Sequence, residues 1–169
     1  MKRILVIRHA KSSWSDPDQP DIERPLNQRG RLSAPLMAAQ ILEWDVVPDA
    51  VWVSPSRRTQ ETWERMRPVL GAGKAKVHDA IYMGDPAALR DVLRETKGAE
   101  TVAIVGHQPG VSALVRKLSD GKIGTSCARA FSSYPTAAVS LLQADIADWA
   151  DLDWKSCDFR QFAVPKDLV

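Results

Sequence analysis

The sequence begins with a short apolar run, Ile4 to Ile7, that ends abruptly in Arg8 and His9. Four consecutive apolar residues, mostly β-branched, are too few for a helix core and are typical of a strand buried on both faces. Such strands belong to parallel sheets covered by helices, where ligands bind at the carboxyl ends of the strands. A cation and an imidazole at this point predict an anion site, with His9 as nucleophile or base. An ordinary surface Arg-His pair after a core strand is the alternative.

Strand and helix patterns alternate along the rest of the chain. Strands are predicted at 49–54, 101–105 and 137–142, with a brief edge strand at 76–78. Helices are predicted at 31–44, from Ser54-Pro55 toward Pro68, from Asp85-Pro86 to about 97, and at 111–118, with Ser54 and Asp85 as amino-terminal caps. This alternation predicts an α/β fold, a three-layer α/β/α sandwich with a mainly parallel central sheet, in a single domain spanning 1–169.

Two long connections interrupt this pattern. Residues 12–30 contain three prolines and show no periodicity of a helix or a strand. This segment follows almost directly after His9, where the first strand ends. A connection this long within one domain is usually functional, so we expect it to form a wall or lid of the site. The second connection, 119–135, is rich in Gly and Ser. The tail from Asp148 has a mixed pattern, which predicts partly irregular structure.

Charge and composition exclude several classes of function. The chain has 23 basic and 21 acidic residues, a net charge of +2, and the two signs are interleaved. This pattern argues against a nucleic-acid-binding tail or a membrane-binding patch. No apolar run is long enough for a signal peptide or a bilayer span, and Cys127 and Cys157 stand alone, so we expect a cytoplasmic protein with reduced thiols.

Polar residues of a similar kind, including Arg and His, directly follow three of the predicted strands. They are Arg8-His9, the segment from Ser54 to Arg58, and Gly106-His107. Because parallel strands deliver their carboxyl ends to one edge of the sheet, these groups can converge, and they include two of only three histidines. Arginine binds phosphate in a bidentate manner, and a neutral imidazole can attack phosphorus to form a covalent intermediate. The pattern therefore predicts phosphoryl transfer.

The ordered motifs resemble the histidine phosphatase, or phosphoglycerate-mutase-like, superfamily. The segments that carry the resemblance are Arg8-His9-Ala10, Ser54–Thr62 and Val105–Pro109, in the family's order. Three further segments resemble the SixA-type phosphohistidine phosphatase branch: Arg8–Trp14, Arg24–Gly30 and Tyr134–Ala138. Ala10 stands where the family has Gly, which requires that its φ is not positive.

The resemblance implies a phosphoglycerate-mutase-like fold and a role for four residues. His9 would be the nucleophile that accepts the phosphoryl group, and Arg8, Arg58 and His107 would complete the phosphate pocket. It implies no metal and no cofactor, because Arg and His supply the positive charge. Arg57 does not fall on the motif position and is expected at the rim.

Other residues are candidates for substrate binding or packing. Lys11, Ser13 and Tyr82 could line the phosphate entrance, although a solvated loop or ordinary packing explains each equally well. Trp14 could form a substrate wall or pack in the core. His78 is expected to be a surface or edge residue, since no polar motif surrounds it.

Many phosphatases of the superfamily carry a carboxylic general acid after the second helix, and none can be placed confidently between Asp79 and Asp85. An alkoxide leaving group needs such an acid, whereas a phosphoramidate nitrogen can leave already protonated. The sequence therefore predicts a metal-independent phosphohistidine protein phosphatase whose partner is a phosphorylated protein. A phosphomonoesterase acting on a small phosphorylated metabolite is the enzymatic alternative. A non-catalytic phosphate-binding regulator is the alternative from another class.

Overall fold

The structure is a computed structural model that describes residues 1–169. Its strands are β1 (Lys2–Arg8), β2 (Ala50–Val53), β3 (Lys76–Val77), β4 (Thr101–Gly106), β5 (Val139–Ala144) and β6 (Cys157–Ala163). Its helices are α1 (Gln28–Glu43), α2 (Arg57–Leu70), α3 (Pro86–Arg94), α4 (Gly110–Leu118) and the short α5 (Thr125–Ala128). None of these helices combines the length and the apolar character needed to cross a membrane.

The six strands form one sheet in the order β3-β2-β4-β1-β5-β6. The strands β3, β2, β4 and β1 are parallel to one another, whereas β5 is antiparallel to β1 and β6 is antiparallel to β5. β1 therefore lies in the interior of the sheet between β4 and β5. The mainly parallel sheet predicted from the sequence is confirmed.

Helices cover both faces of this sheet because β1 is apolar on both. Ile4 and Val6 pack into a core that includes the apolar faces of α3 and α4. Leu5 and Ile7 pack into a second core, on the other face, with α1 and α2. All four side chains are fully buried, which fixes the register of β1 and hence the position at which Arg8 leaves the sheet.

Two helices begin at residues other than those predicted. The side chain of Asn27 accepts a hydrogen bond from the Gly30 amide at 2.9 Å, so α1 begins three residues early and Pro35 lies inside the helix rather than near its first turn. Ser56, not Ser54, caps α2, its side chain accepting from the Thr59 amide. The hydroxyl of Ser54 is therefore available for a different contact.

The last strand was absent from the sequence prediction. The tail forms β6, which pairs with β5, and the second long connection contains α5 and a short 3-10 helix, Arg129–Phe131. A register shift at Leu141/Leu142 breaks the regular pairing. The buried residues of β6, Cys157, Phe159, Phe162 and Ala163, therefore do not follow the simple alternation that would identify a strand.

Candidate active site

The carboxyl ends of β1, β4 and β2 lie side by side. Arg8 pairs with Gly106, and Val105 pairs in turn with Val53, so the residues that follow these strands share one edge of the sheet. His9, Ser54 and His107 therefore meet although they are far apart in sequence. Arg58 joins them from the first turn of α2, which begins at Arg57, three residues after Ser54.

The imidazole of His9 is buried, with 6% of its surface exposed, and its tautomer follows from one hydrogen bond. Nδ1 lies 2.7 Å from the carbonyl oxygen of Ala10, and only a protonated Nδ1 can donate to a carbonyl. Burial lowers the pKa of His9 from 6.5 to about 4, with the charges of Arg58 and Arg8 acting in the same direction. At neutral pH the ring is therefore uncharged and carries its lone pair on Nε2.

The imidazole of His107 lies next to it, with the two ring centroids 5.4 Å apart. An N–H of Arg58 donates to Nδ1 of His107 at 3.2 Å, so Nε2 carries the proton and donates to Oγ of Ser54 at 2.8 Å. Burial, followed by the charge of Arg58, lowers the pKa of His107 to about 3. Both imidazoles are therefore neutral in the free protein.

Arg58 is anchored by a residue of the first long connection. Its Nη1 donates to the carbonyl oxygen of Asp21 at 2.8 Å, and its Nη2 donates to Oδ2 of the same residue at 3.0 Å. The hydroxyl of Tyr82 donates to that carboxylate oxygen at 2.6 Å. The hydrogen bonds from Tyr82 and Arg58 hold the pKa of Asp21 below its usual range, so the carboxylate is ionised. The expectation that the connection forms a wall of the site agrees with this contact.

Arg8 carries hydrogen-bonding capacity that the protein does not use. Its Nη1 donates to the carbonyl oxygen of Tyr134 at 2.9 Å, whereas its Nε is buried without a partner. Burial and the nearby charge of Arg58 both lower the pKa of Arg8. A buried donor without an acceptor, beside a second guanidinium, favours the binding of an anion.

Ala10 fits the position where the resembling family has Gly. Its φ is not positive, and its side chain is fully buried. Its amide donates to Oγ1 of Thr62 at 3.0 Å, and the hydroxyl of Thr62 donates to the carbonyl oxygen of Arg58 at 2.7 Å. Thr62 therefore ties the turn after His9 to the first turn of α2.

The structure brings together some of the predicted site residues and not others. Arg8, His9, Arg58 and His107 converge, and Tyr82 joins them, its ring packing edge-on against His107 at 5.5 Å. Lys11 is exposed, and the hydroxyl of Ser13 is hydrogen-bonded to that of Ser15, so the substrate-binding role of these two residues stays a prediction.

The remaining candidates lie at the surface. Arg57 is exposed beside the site, and Trp14 is 67% exposed with the guanidinium of Arg24 stacked 4.0 Å from its ring, so Trp14 does not pack in the core. His78 is half-buried and contacts Glu95 at 2.7 Å. Asp85 caps α3 by accepting from the Ala88 amide, and Asp79 is exposed.

Sequence reasoning missed two side chains that position the others. Asp21 had no motif to distinguish it from the neighbouring acidic residues, and the only signal was the length of the loop that leaves from His9. Ser54 was interpreted as a helix cap, and its contact with His107 depends on strand pairing that a linear pattern does not show. No group of three or more His, Cys, Asp or Glu side chains is arranged to hold a metal ion.

Comparison with known families agrees with this geometry. Residues 4–81, which carry Arg8, His9, Ser54 and Arg58, match the model of the histidine phosphatase superfamily (branch 1). The resemblance to the histidine phosphatase superfamily is confirmed. Among curated proteins, an uncharacterized protein of Mycobacterium tuberculosis is 28% identical over 163 residues, which cover 95% of this chain and all of that protein.

Solved structures of histidine phosphatases share the fold. A protein described as phosphohistidine phosphatase SixA, from Nakamurella multipartitia, superposes with a TM-score of 0.81 at 22% identity, covering 97% of this chain and 96% of that one. The protein histidine phosphatase SixA complexed with tungstate gives a TM-score of 0.77 at 24% identity, covering 99% of both chains. The predicted phosphoglycerate-mutase-like architecture is therefore confirmed.

Proposed function

We propose that the protein hydrolyses phosphohistidine on a protein substrate through a covalent phosphohistidine intermediate on His9. The observation that carries this proposal is the state of the His9 ring: a neutral imidazole whose Nδ1 is occupied by the Ala10 carbonyl and whose Nε2 has no partner. Such a nitrogen is a nucleophile without prior loss of a proton. The histidine phosphatase resemblance supports the coarser statement that the protein is a phosphatase.

In the first step, Nε2 of His9 attacks phosphorus, and the bond between phosphorus and the leaving nitrogen of the substrate breaks. In the second step, water attacks the phosphorus, the bond to Nε2 breaks, and inorganic phosphate leaves. Arg8 and Arg58 would stabilise the negative charge on the non-bridging oxygens in both steps. Their two positive charges do the work for which other phosphatases use a metal ion, so we propose a metal-independent reaction.

His107 would change its protonation when phosphate binds. In the free protein the Arg58 N–H points at Nδ1 of His107. A bound phosphate would compete for that N–H and would lie against Nδ1. The anion then favours the protonated ring, in which Nδ1–H donates to phosphate while Nε2–H still donates to Ser54.

The state of Asp21 supports a phosphoramidate rather than an ester as substrate. Asp21 is the carboxylate that contacts Arg58, and its lowered pKa makes it a poor proton donor. Asp85 is committed to capping α3. The imidazole of phosphohistidine can leave already protonated, as a neutral group, whereas an alkoxide needs a proton from a positioned acid, so the phosphohistidine bond can break without one.

The decisive experiment measures phosphate release from a phosphohistidine-bearing protein by the wild type and by His9→Ala. A phosphoserine peptide and a sugar phosphate are assayed in parallel, with and without a chelator. Release from phosphohistidine alone, lost in the variant and unaffected by chelation, is the expected result.

Two other outcomes would overturn parts of the proposal. Release mainly from the sugar phosphate would keep His9 as nucleophile and make the protein a metabolite phosphatase. Phosphate binding without release from any substrate, by a folded sample, would make it a phosphate-binding regulator.

A further inference from the structure

A cleft of about 410 Å³ lies beside the candidate active site. Its walls come from the first turn of α1 at Arg29, from Pro135 and Thr136 before β5, and from Lys166 after β6. β5 begins and β6 ends at the edge of the sheet where β1 ends, because Ile7 pairs with Val139 and Val139 pairs with Ala163. The cleft therefore opens at the same edge as His9.

One wall of the cleft is bonded directly to the site. The carbonyl oxygen of Tyr134 accepts from Arg8 at 2.9 Å, and the amide of Ala137 donates to the carbonyl oxygen of His9 at 2.9 Å. Pro135 and Thr136, which line the cleft, lie between these two contacts. The backbone segment that lines this side of the cleft is thus hydrogen-bonded at both ends to residues of the site.

The opposite wall is held just as closely. The amide of Asn27 donates to the carbonyl oxygen of Lys11 at 2.9 Å. Gly30 packs so tightly that a Cβ at this position would lie 2.2 Å from the same oxygen. Arg29, between these two contacts, is therefore fixed beside the chain that leaves His9.

The cleft carries positive charge that the protein leaves unpaired. Arg29 and Lys166 are exposed, and neither has a carboxylate oxygen within 4.0 Å. The third cation of the lining, Arg129, is neutralised by Asp167 at 2.7 Å. Two free cations thus face a cleft whose floor includes the ring of Phe162.

A second cleft, lined in part by the start of α2, lacks this excess of unpaired cations. Three glutamates line it, Glu23, Glu61 and Glu64, with Arg57 as its one cation. Glu61 is paired with Arg31 and Arg65, and Glu64 is paired with Arg67, so the unpaired charges of Glu23 and Arg57 balance. An acidic group of a substrate is therefore favoured at Arg29 and Lys166 over the second cleft.

We propose that the cleft at Arg29 and Lys166 binds acidic side chains of the protein substrate, close to its phosphorylated histidine. This inference rests on the proposed function and names a feature of its substrate. Arg8 and Arg58 already serve the phosphate, so an anion at Arg29 and Lys166 is a second group of the same substrate. On a protein surface that group is the carboxylate of a flanking Asp or Glu.

The test compares phosphohistidine peptides whose flanking residues are Asp and Glu in one set and Asn and Gln in the other. Arg29→Gln, Lys166→Gln and the double variant are assayed against the wild type, with Arg57→Gln as the matched control from the other cleft. We expect the wild type to have a lower KM for the acidic peptides, with each substitution raising that KM about two- to fivefold and leaving kcat unchanged, as for exposed ion pairs. Arg57→Gln should not raise it, and added salt should reduce the preference.

Binding of the unphosphorylated acidic peptide, followed by fluorescence anisotropy, separates this inference from the proposed function. Hydrolysis by the wild type with no preference between the two sets overturns the inference and leaves the function intact. Absence of phosphohistidine hydrolysis overturns the proposed function. In that case the difference in anisotropy between wild type and the double variant still shows whether the cleft binds the acidic peptide. Equal binding by both, or competition by free citrate as strong as by the acidic peptide, excludes a specific site for acidic protein segments.

Discussion

The two buried imidazoles predict a steep loss of stability in mild acid. The folded protein lowers the pKa of His9 from 6.5 to about 4 and that of His107 from 6.5 to about 3. At pH 5 the folded protein therefore keeps both rings neutral, whereas the unfolded chain protonates both. Because the unfolded state binds up to two more protons, the free energy of unfolding falls as the pH decreases below about 6.5.

The size of the effect follows from the same values. Each fully titrating histidine contributes a slope of about 1.4 kcal/mol per pH unit, and the two together lower the free energy of unfolding by roughly 4 kcal/mol between pH 7 and pH 5. Such a loss is a large fraction of the free energy of unfolding of a typical domain, which is roughly 5–15 kcal/mol. The lowered carboxylate pKa of Asp21 has the same sign but takes effect only at lower pH.

Urea unfolding at several pH values measures this slope. The buffers must be free of phosphate, because a bound anion would change the protonation of His107. We expect His9→Asn and His107→Asn each to remove about half of the pH dependence, and the double variant to remove nearly all of it. The comparison is made within each variant, so a change in absolute stability does not affect it. A double variant with the slope of the wild type would refute the conclusion that these rings are buried in the neutral form.

Three further substitutions test the site and its support. Arg58→Lys keeps the charge but removes the planar pair of donors, so kcat/KM should fall by about 10²- to 10³-fold, as for other preorganised donors; near-normal kinetics would exclude a direct role in catalysis. Ser54→Ala removes the acceptor of His107 Nε2 at 2.8 Å, and should lower kcat/KM about tenfold while circular dichroism stays native; unchanged kinetics would mean that Ser54 does not orient the ring. Gly30→Ala places a Cβ against the Lys11 carbonyl oxygen, whereas Gly73→Ala meets nothing within 4 Å. Thermal unfolding should show a loss of about 1–3 kcal/mol for Gly30→Ala alone, and equal effects of the two would contradict the close packing described here.

The sequence predicted the parts of the fold that depend on local pattern. β1 is apolar on both faces, and Asp85-Pro86 marks the start of α3, so the core of β1 and the start of α3 were identified, whereas α3 ends at Arg94 rather than near residue 97. β6 was missed because its buried residues are spaced by a register shift in the pairing with β5, which no pattern within 157–163 encodes. The start of α2 was placed too early because Ser54 and Ser56 both flank Pro55, and either serine resembles a cap.

In the site as well, residues marked by a local pattern were predicted, and residues placed by contacts distant in sequence were not. Arg8, His9, Arg58 and His107 were found because each follows a recognisable strand end or motif, and the structure places them together. Lys11 is a candidate only because it follows His9 in sequence; its side chain is exposed, and its role at the phosphate entrance stays a prediction. Asp21 could not be found in this way, since its contact with Arg58 spans 37 residues and depends on the path of the long connection, in which Asp21 begins a short 3-10 helix, Asp21–Glu23.

The environment that would make His9 a nucleophile also explains why these positioning contacts are needed. The His9 imidazole stays neutral at pH 7 because its surroundings exclude water and include two guanidinium groups, and those surroundings penalise any further positive charge. Arg58 can lie this close only because the carboxylate of Asp21 offsets its charge at 3.0 Å. With both imidazoles neutral and Arg58 paired with Asp21, an incoming phosphate supplies the negative charge that balances Arg8. Burial of the two neutral imidazoles makes the free site less stable toward acid than an apolar core would be, and the binding of an anion would offset the smaller contribution from the charges of Arg58 and Arg8.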